Sequence, residues 1–146
     1  MKALTTMKTV TTVLMVAGIA FSMACGYSHS TTPATAGNTP MISALNPTSA
    51  THDSTAPTPL EVSGTNFNSG TNPAYITITF NGTSTKMTTT IGGTAAASTA
   101  RTTIPMGFFT TTGTAQITVT NPGLSGGIYG GGTTTVTSAS VPLTVN

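Results

Sequence analysis

The chain has 146 residues, of which four are Lys or Arg, two Asp or Glu, two His and one Cys, while 37 are Thr. A charged fraction of 4%, against roughly a quarter in ordinary soluble domains, leaves too few cations for a nucleic-acid-binding face. One Cys excludes a disulfide framework and a cysteine-rich zinc site, and acid–base catalysis is short of groups.

Residues 1–24 read as an export signal. Lys2 and Lys8 open it, Val13 to Phe21 form an apolar run, and Ser22-Met23-Ala24 place small residues at alternate positions before Cys25. This is the three-zone pattern of a secretory signal peptide, and the apolar run is too short for a spanning helix of about 20 residues. Two cleavage routes remain open. Ala24-Cys25 resembles the lipobox of bacterial lipoproteins, in which the Cys receives diacylglycerol on sulfur and becomes the mature N-terminus. The chemistry needs a thiolate nucleophile, and acyl chains then hold the protein at the membrane. Ser22-Met23-Ala24 also suits general signal peptidase, which would release a secreted soluble protein. Once the segment is removed, Asp53, Glu61, Lys86 and Arg101 cancel, so solubility rests on Thr, Ser and Asn rather than on charge repulsion.

Residues 25–39 carry the lipid-attachment Cys and then small, polar, turn-forming residues with no apolar period, which predict a flexible linker. His29 in this stretch has no second metal ligand near it in sequence.

From Pro40 to Asn146 the pattern becomes short alternating runs. Leu60 and Val62, then Ile76, Ile78 and Phe80, then Ile117 and Val119, then Leu143 and Val145 alternate with polar residues. Period-two alternation gives each strand one buried and one wet face, as in antiparallel sheets. Thr suits the wet face through its branched β-carbon. Asn81-Gly82 between two such runs predicts a tight hairpin, because both central residues must take positive φ. With no helical periodicity, the prediction is an all-β sandwich of about seven antiparallel strands. Its inward set is Ile42, Leu45, Leu60, Val62, Phe67, Ile76, Ile78, Phe80, Ile104, Ile117, Val119, Leu143 and Val145.

Several of these segments together resemble a family. Pro40-Met41-Ile42-Ser43-Ala44-Leu45-Asn46-Pro47 is similar to the opening of IPT/TIG domains, and Leu60 to Phe67 resembles their second strand with its Gly64-Thr65-Asn66-Phe67 ending. Phe80-Asn81-Gly82, Thr103-Ile104-Pro105, Gly113 to Gly123 and Val141 to Val145 follow in the family's order. The resemblance covers nearly all of residues 40–146 and implies an immunoglobulin-like fold. It also implies a surface module: in bacteria a spacer, an adhesion module or a companion of carbohydrate-active enzymes. The DNA-holding role of the fold in some transcription factors is not carried over, because only Lys86 and Arg101 remain. Stretches 88–100 and 124–137 are longer than the family pattern and read as individual loops.

No catalytic constellation stands out. His52-Asp53 reads as a turn, in which Asp bonds its own backbone. Glu61 lies on a wet strand face, away from any second carboxylate, and the glycines of 126–132 lack the Lys-Ser/Thr of a phosphate loop. No metal site and no cofactor is expected. Aromatic residues are the remaining contact candidates: Tyr75 outward on its strand, Phe108 and Phe109, of which regular strand geometry lets only one point inward, and Tyr129 in the glycine-rich loop.

The expectation is a non-enzymatic cell-envelope lipoprotein with one Ig-like module in a structural, adhesive or protein-interaction role. The alternatives are a carbohydrate-binding module using Tyr75, Tyr129 and the 88–100 loop, or a subunit of a surface fibre. Expected partners are the membrane through the lipid anchor, polysaccharide or surface proteins, and further copies of the chain.

Overall fold

A computed structural model describes residues 35–124 and 132–146. In chain order the strands are β1 (Thr35–Ala36), β2 (Met41–Asn46), β3 (Ser49–Ala50), β4 (Thr58–Thr65), β5 (Tyr75–Phe80), β6 (Thr83–Lys86), β7 (Thr90–Thr94), β8 (Ala97–Ile104), β9 (Gly113–Asn121), β10 (Thr133–Thr134), β11 (Val136–Thr137) and β12 (Val141–Val145). Among the described residues there is no helix. One sheet has the order β2-β4-β8-β7. The other runs β3-β12-β9-β5-β6, with β11 also on β9.

The predicted alternation fixes which faces meet. Leu60 and Val62 of β4, Ile76, Ile78 and Phe80 of β5, Ile117 and Val119 of β9, and Leu143 and Val145 of β12 all belong to one buried core. Each strand turns its intervening polar residues outward, because successive side chains leave a pleated strand on opposite faces. Leu45, Phe67 and Ile104 are buried as expected. Ile42 is only half-buried and packs against the core from its margin. The register of β2 on β4 shifts between Ile42 and Ala44, and such a bulge on an edge strand turns a side chain away from the regular face.

The Asn81-Gly82 hairpin forms with φ of 50° and 78°, joining β5 and β6 with Phe80 opposite Thr83. Gly64 is required for a different reason. A β-carbon there would overlap the Met41 carbonyl oxygen and lie 2.5 Å from Phe67 Cζ. Asn66, two residues on, takes the left-handed φ of 62° that Asn tolerates. The Gly-x-Asn-Phe segment thus lets β4 turn sharply and fold Phe67 back under β2.

Four expectations need correction. The stretch 124–137 is not all loop: among its described residues, β10 and β11 form where Thr and Val suit a sheet. The strands are not all antiparallel. The chain leaves the first sheet at Pro47 and re-enters as β3 on the second, where it runs parallel to β12; β1 also pairs in parallel, with β10. There are twelve strand segments among the described residues rather than about seven. Part of this excess is one edge strand divided into β2 and β3 at a proline, which cannot donate to a ladder.

The stretch 88–100 is not an individual loop. It forms β7, the two-residue turn Ala95-Ala96 and the first half of β8. Its inward positions are Ser98, Ala100 and then Thr102, so apolar periodicity could not reveal it. Ser98 Oγ donates to Thr94 O at 2.6 Å and accepts from Phe67 N–H at 3.3 Å, while Thr102 Oγ1 donates to Thr88 O at 2.7 Å. Buried hydroxyls are tolerated here because each has a partner.

At the end of the sandwich where β4 and β9 finish, Asn121 is 1% exposed. Its Oδ1 accepts from Asn68 N–H, and its Nδ2 donates to the carbonyls of Asn38 and Asn66. Asn38, near the end of the predicted linker, is thereby tied to the sandwich.

Candidate functional site

The sequence-predicted contact residues do not converge. Cys25 and Tyr129 lie outside the described residues, as does His29. Phe109 is buried and stacks edge-on against Phe80 with centroids 5.0 Å apart. It is therefore core, not a ligand contact. Phe108 is half-buried and packs edge-on upon Phe109 at 5.0 Å. Its adjacency to an inward Phe leaves it at the rim of the sandwich end. Tyr75 is half-buried on the outer side of β5, and Lys86 Nζ lies 3.9 Å above its ring centroid. That places a cation where a stacked ligand would lie on that face.

His52 and Asp53 form a turn. The backbone N–H of His52 donates to the Asn146 main-chain oxygen at 2.8 Å, and Nδ1 approaches the same oxygen at 2.6 Å. An oxygen there can only accept, so Nδ1 carries the proton. Asp53 has φ 49° and donates its N–H to Phe109 O. The pair anchors the chain end and the β8–β9 connection. Among the described residues no group of three or more His, Cys, Asp and Glu is placed to hold a metal ion.

The polar side chains that do converge sit on the outer face of the first sheet. Register places Asn46, Glu61, Arg101 and Thr90 side by side across β2, β4, β8 and β7. Arg101 Nε donates to Glu61 Oε2 at 2.6 Å. Arg101 is 63% exposed and Glu61 33%, so water screens the pair and it contributes about 0–1 kcal/mol to stability. Its consequence is geometric: the carboxylate holds one edge of the guanidinium and leaves the terminal nitrogens without a partner among the described residues.

Those nitrogens border a groove. A depression of about 510 Å³ is lined by Pro59, Thr88, Thr90, Arg101, Thr102 and Thr103. A neighbouring one of about 280 Å³ shares Pro59, Arg101 and Thr102 and reaches Asn46, Pro47, Leu60 and Glu61. The groove exists because β7 begins at Thr90, opposite Arg101, while β8 continues to Ile104. Its walls offer hydroxyls, one guanidinium and one carboxylate, with no net charge and no aromatic ring. Such a site can exchange hydrogen bonds and receive a carboxylate. A further depression of about 320 Å³, lined by Asn68 to Asn72 and Leu124, lies at the Asn121 end.

In the sequence Arg101 stands out only as a charge, and Glu61 only as a carboxylate on the wet face of its strand. Their opposition across β4 and β8 depends on a strand that carries few apolar residues, so no local signal linked them. Comparison with protein families, with characterised proteins and with solved structures finds no match for this chain.

Proposed function

We propose that the chain is an exported, lipid-anchored protein of the cell envelope whose sandwich is an immunoglobulin-like module of IPT/TIG type, acting in adhesion or protein interaction without catalysis. The observation that carries this reading is the strand order. With β2, β4, β8 and β7 taken as A, B, E and D, and β12, β9, β5 and β6 as G, F, C and C′, the strand order agrees with an immunoglobulin-like sandwich, which supports that part of the reading. The Gly64-to-Phe67 segment supports the finer family assignment, because its glycine is needed where β2 crosses close to β4.

A non-catalytic role is supported by how the charges are used. Lys86 covers Tyr75, Arg101 meets Glu61, and Asp53 sits in a turn with its N–H on Phe109 O. Among the described residues the two cations, Lys86 and Arg101, lie on different sheets and form no basic stripe, which argues against nucleic acid as a partner. The carbohydrate-binding alternative is less favoured, since Phe109 is core and Lys86 covers one face of Tyr75.

Anchoring is tested by mass spectrometry of the mature protein with membrane fractionation. The expected product starts at Cys25 and carries diacylglycerol, and Cys25→Ser should abolish both the lipid attachment and the cleavage before residue 25. A soluble product with a free thiol would replace the anchored reading by a secreted one.

A further inference from the structure

We propose that the groove beside Arg101 docks an extended peptide segment, which adds to the free edge of β8 and sets a carboxylate on the Arg101 guanidinium. The proposal rests on the reading of the domain as a protein-interaction module and names its binding site.

β8 pairs with β4 from Ser98 to Ile104, but with β7 only from Ala97 to Arg101. Thr102, Thr103 and Ile104 therefore have a strand neighbour on one side only. In an antiparallel sheet, successive residues send their main-chain groups to opposite neighbours. Thr103 lies opposite Pro59, which has no N–H to give to its carbonyl, so in the alternating pattern residues 97, 99 and 101 are the ones that face β7. Thr103 is the next in that series. Its N–H and C=O point along the sheet to where β7 would continue, and no partner is present among the described residues.

The preceding chain does not fill that place. Met87 N–H donates to Ile76 O, and Thr89 Oγ1 accepts from Ile76 N–H. These contacts draw Met87 and Thr89 toward β5, on the other sheet, while Thr88 meets β8 through its carbonyl, which accepts from the Thr102 hydroxyl and not from the main chain of Thr103. What remains is the depression of about 510 Å³ floored by the end of β8. Three residues of free edge measure about 10 Å, the length of a three-residue strand.

The chemistry favours a peptide over a saccharide. One donor and one acceptor on the same residue match the carbonyl and amide of an extended chain, which is how a strand adds to an exposed edge. No aromatic residue lines the groove to stack a sugar ring. Two positions before Thr103 on the same face, Arg101 holds its Nε on Glu61 and leaves a planar fork of N–H donors. Such a fork accepts a carboxylate through two parallel bonds.

The test is a nuclear magnetic resonance titration of the purified full chain in detergent. The probe is an acetylated pentapeptide of alternating threonine and valine with a free C-terminal carboxylate. Amide shifts should cluster on Thr90, Arg101 and Thr103. The C-terminally amidated peptide should bind about tenfold more weakly, a difference of about 1.4 kcal/mol, and a peptide N-methylated at alternate residues should not bind. Thr103→Pro deletes the proposed donor without removing a ladder bond, so it should keep the fold and lose the peptide. Arg101→Gln should bring the acid peptide down to the affinity of the amide. The proposal is overturned if millimolar peptide gives no clustered shifts, if acid and amide bind equally, or if maltotriose moves these amides and the peptide does not. Lipid attachment at Cys25 is read in a separate experiment, so either idea can fail alone.

Discussion

β5 and β8 are both interior strands of their sheets, and each turns one face to the same core, but they build that face from different material. β5 supplies Ile76, Ile78 and Phe80, all apolar and buried. β8 supplies Ser98, Ala100, Thr102 and Ile104, of which two are hydroxyl residues bonded to main-chain groups of neighbouring segments. β5 is held by volume and exclusion of water. β8 is held by small size and by pairing every polar atom it buries. A strand of the second kind is invisible to a search for apolar alternation, and in this chain it is the one that builds the groove.

The comparison predicts different sensitivities. Ile78→Ala in β5 should destabilise most, by about 2–5 kcal/mol, because it leaves a cavity in the shared core. Denaturant melts of the variant and the parent would measure this, and a loss below about 1 kcal/mol would mean that Ile78 is not central. Asn121→Ala should come next, at about 2–3 kcal/mol, since it strips the partner from Asn68 N–H and from the carbonyls of Asn38 and Asn66. Hydrogen exchange should then quicken selectively around Asn66–Asn68.

In β8 the loss should come from a hydroxyl rather than from carbon. Ser98→Ala is expected to cost about 1–2 kcal/mol, because Phe67 N–H loses its acceptor. If it proves neutral while Ile78→Ala is severe, the contrast between the strands is one of size alone. The smallest effect should be at the surface: Arg101→Gln should change stability by about 1 kcal/mol or less, as expected for an exposed pair. A larger loss would move Arg101 from the groove's chemistry to the fold's.

Much of the architecture was legible in residue order. The alternation at Leu60–Val62, Ile76–Phe80, Ile117–Val119 and Leu143–Val145 placed four strands and their inward faces, and Asn81-Gly82 placed a hairpin with the required positive φ. The groove was not legible. Its floor, Thr102-Thr103, lies in a strand whose first half, without an apolar run, read as loop. Its charged pair, Glu61 and Arg101, is separated by 40 positions. Of the aromatic candidates, adjacency foretold that one of Phe108 and Phe109 would turn inward, but not which one.

Sequence alone determined that this protein alternates apolar and polar residues as sheets do, that it carries almost no charge beyond its first residues, and where one of its two-residue hairpin turns lies. These are local properties: a pleat repeats every two residues, and a turn is set by the φ its residues accept. Only the tertiary structure decided that β3 runs parallel to β12, that Asn121 ties three segments together, and that β8 outruns β7 beside Arg101. Each of these depends on the register between segments far apart in the chain. Register is set when two faces are buried together, a condition no short stretch of residues contains.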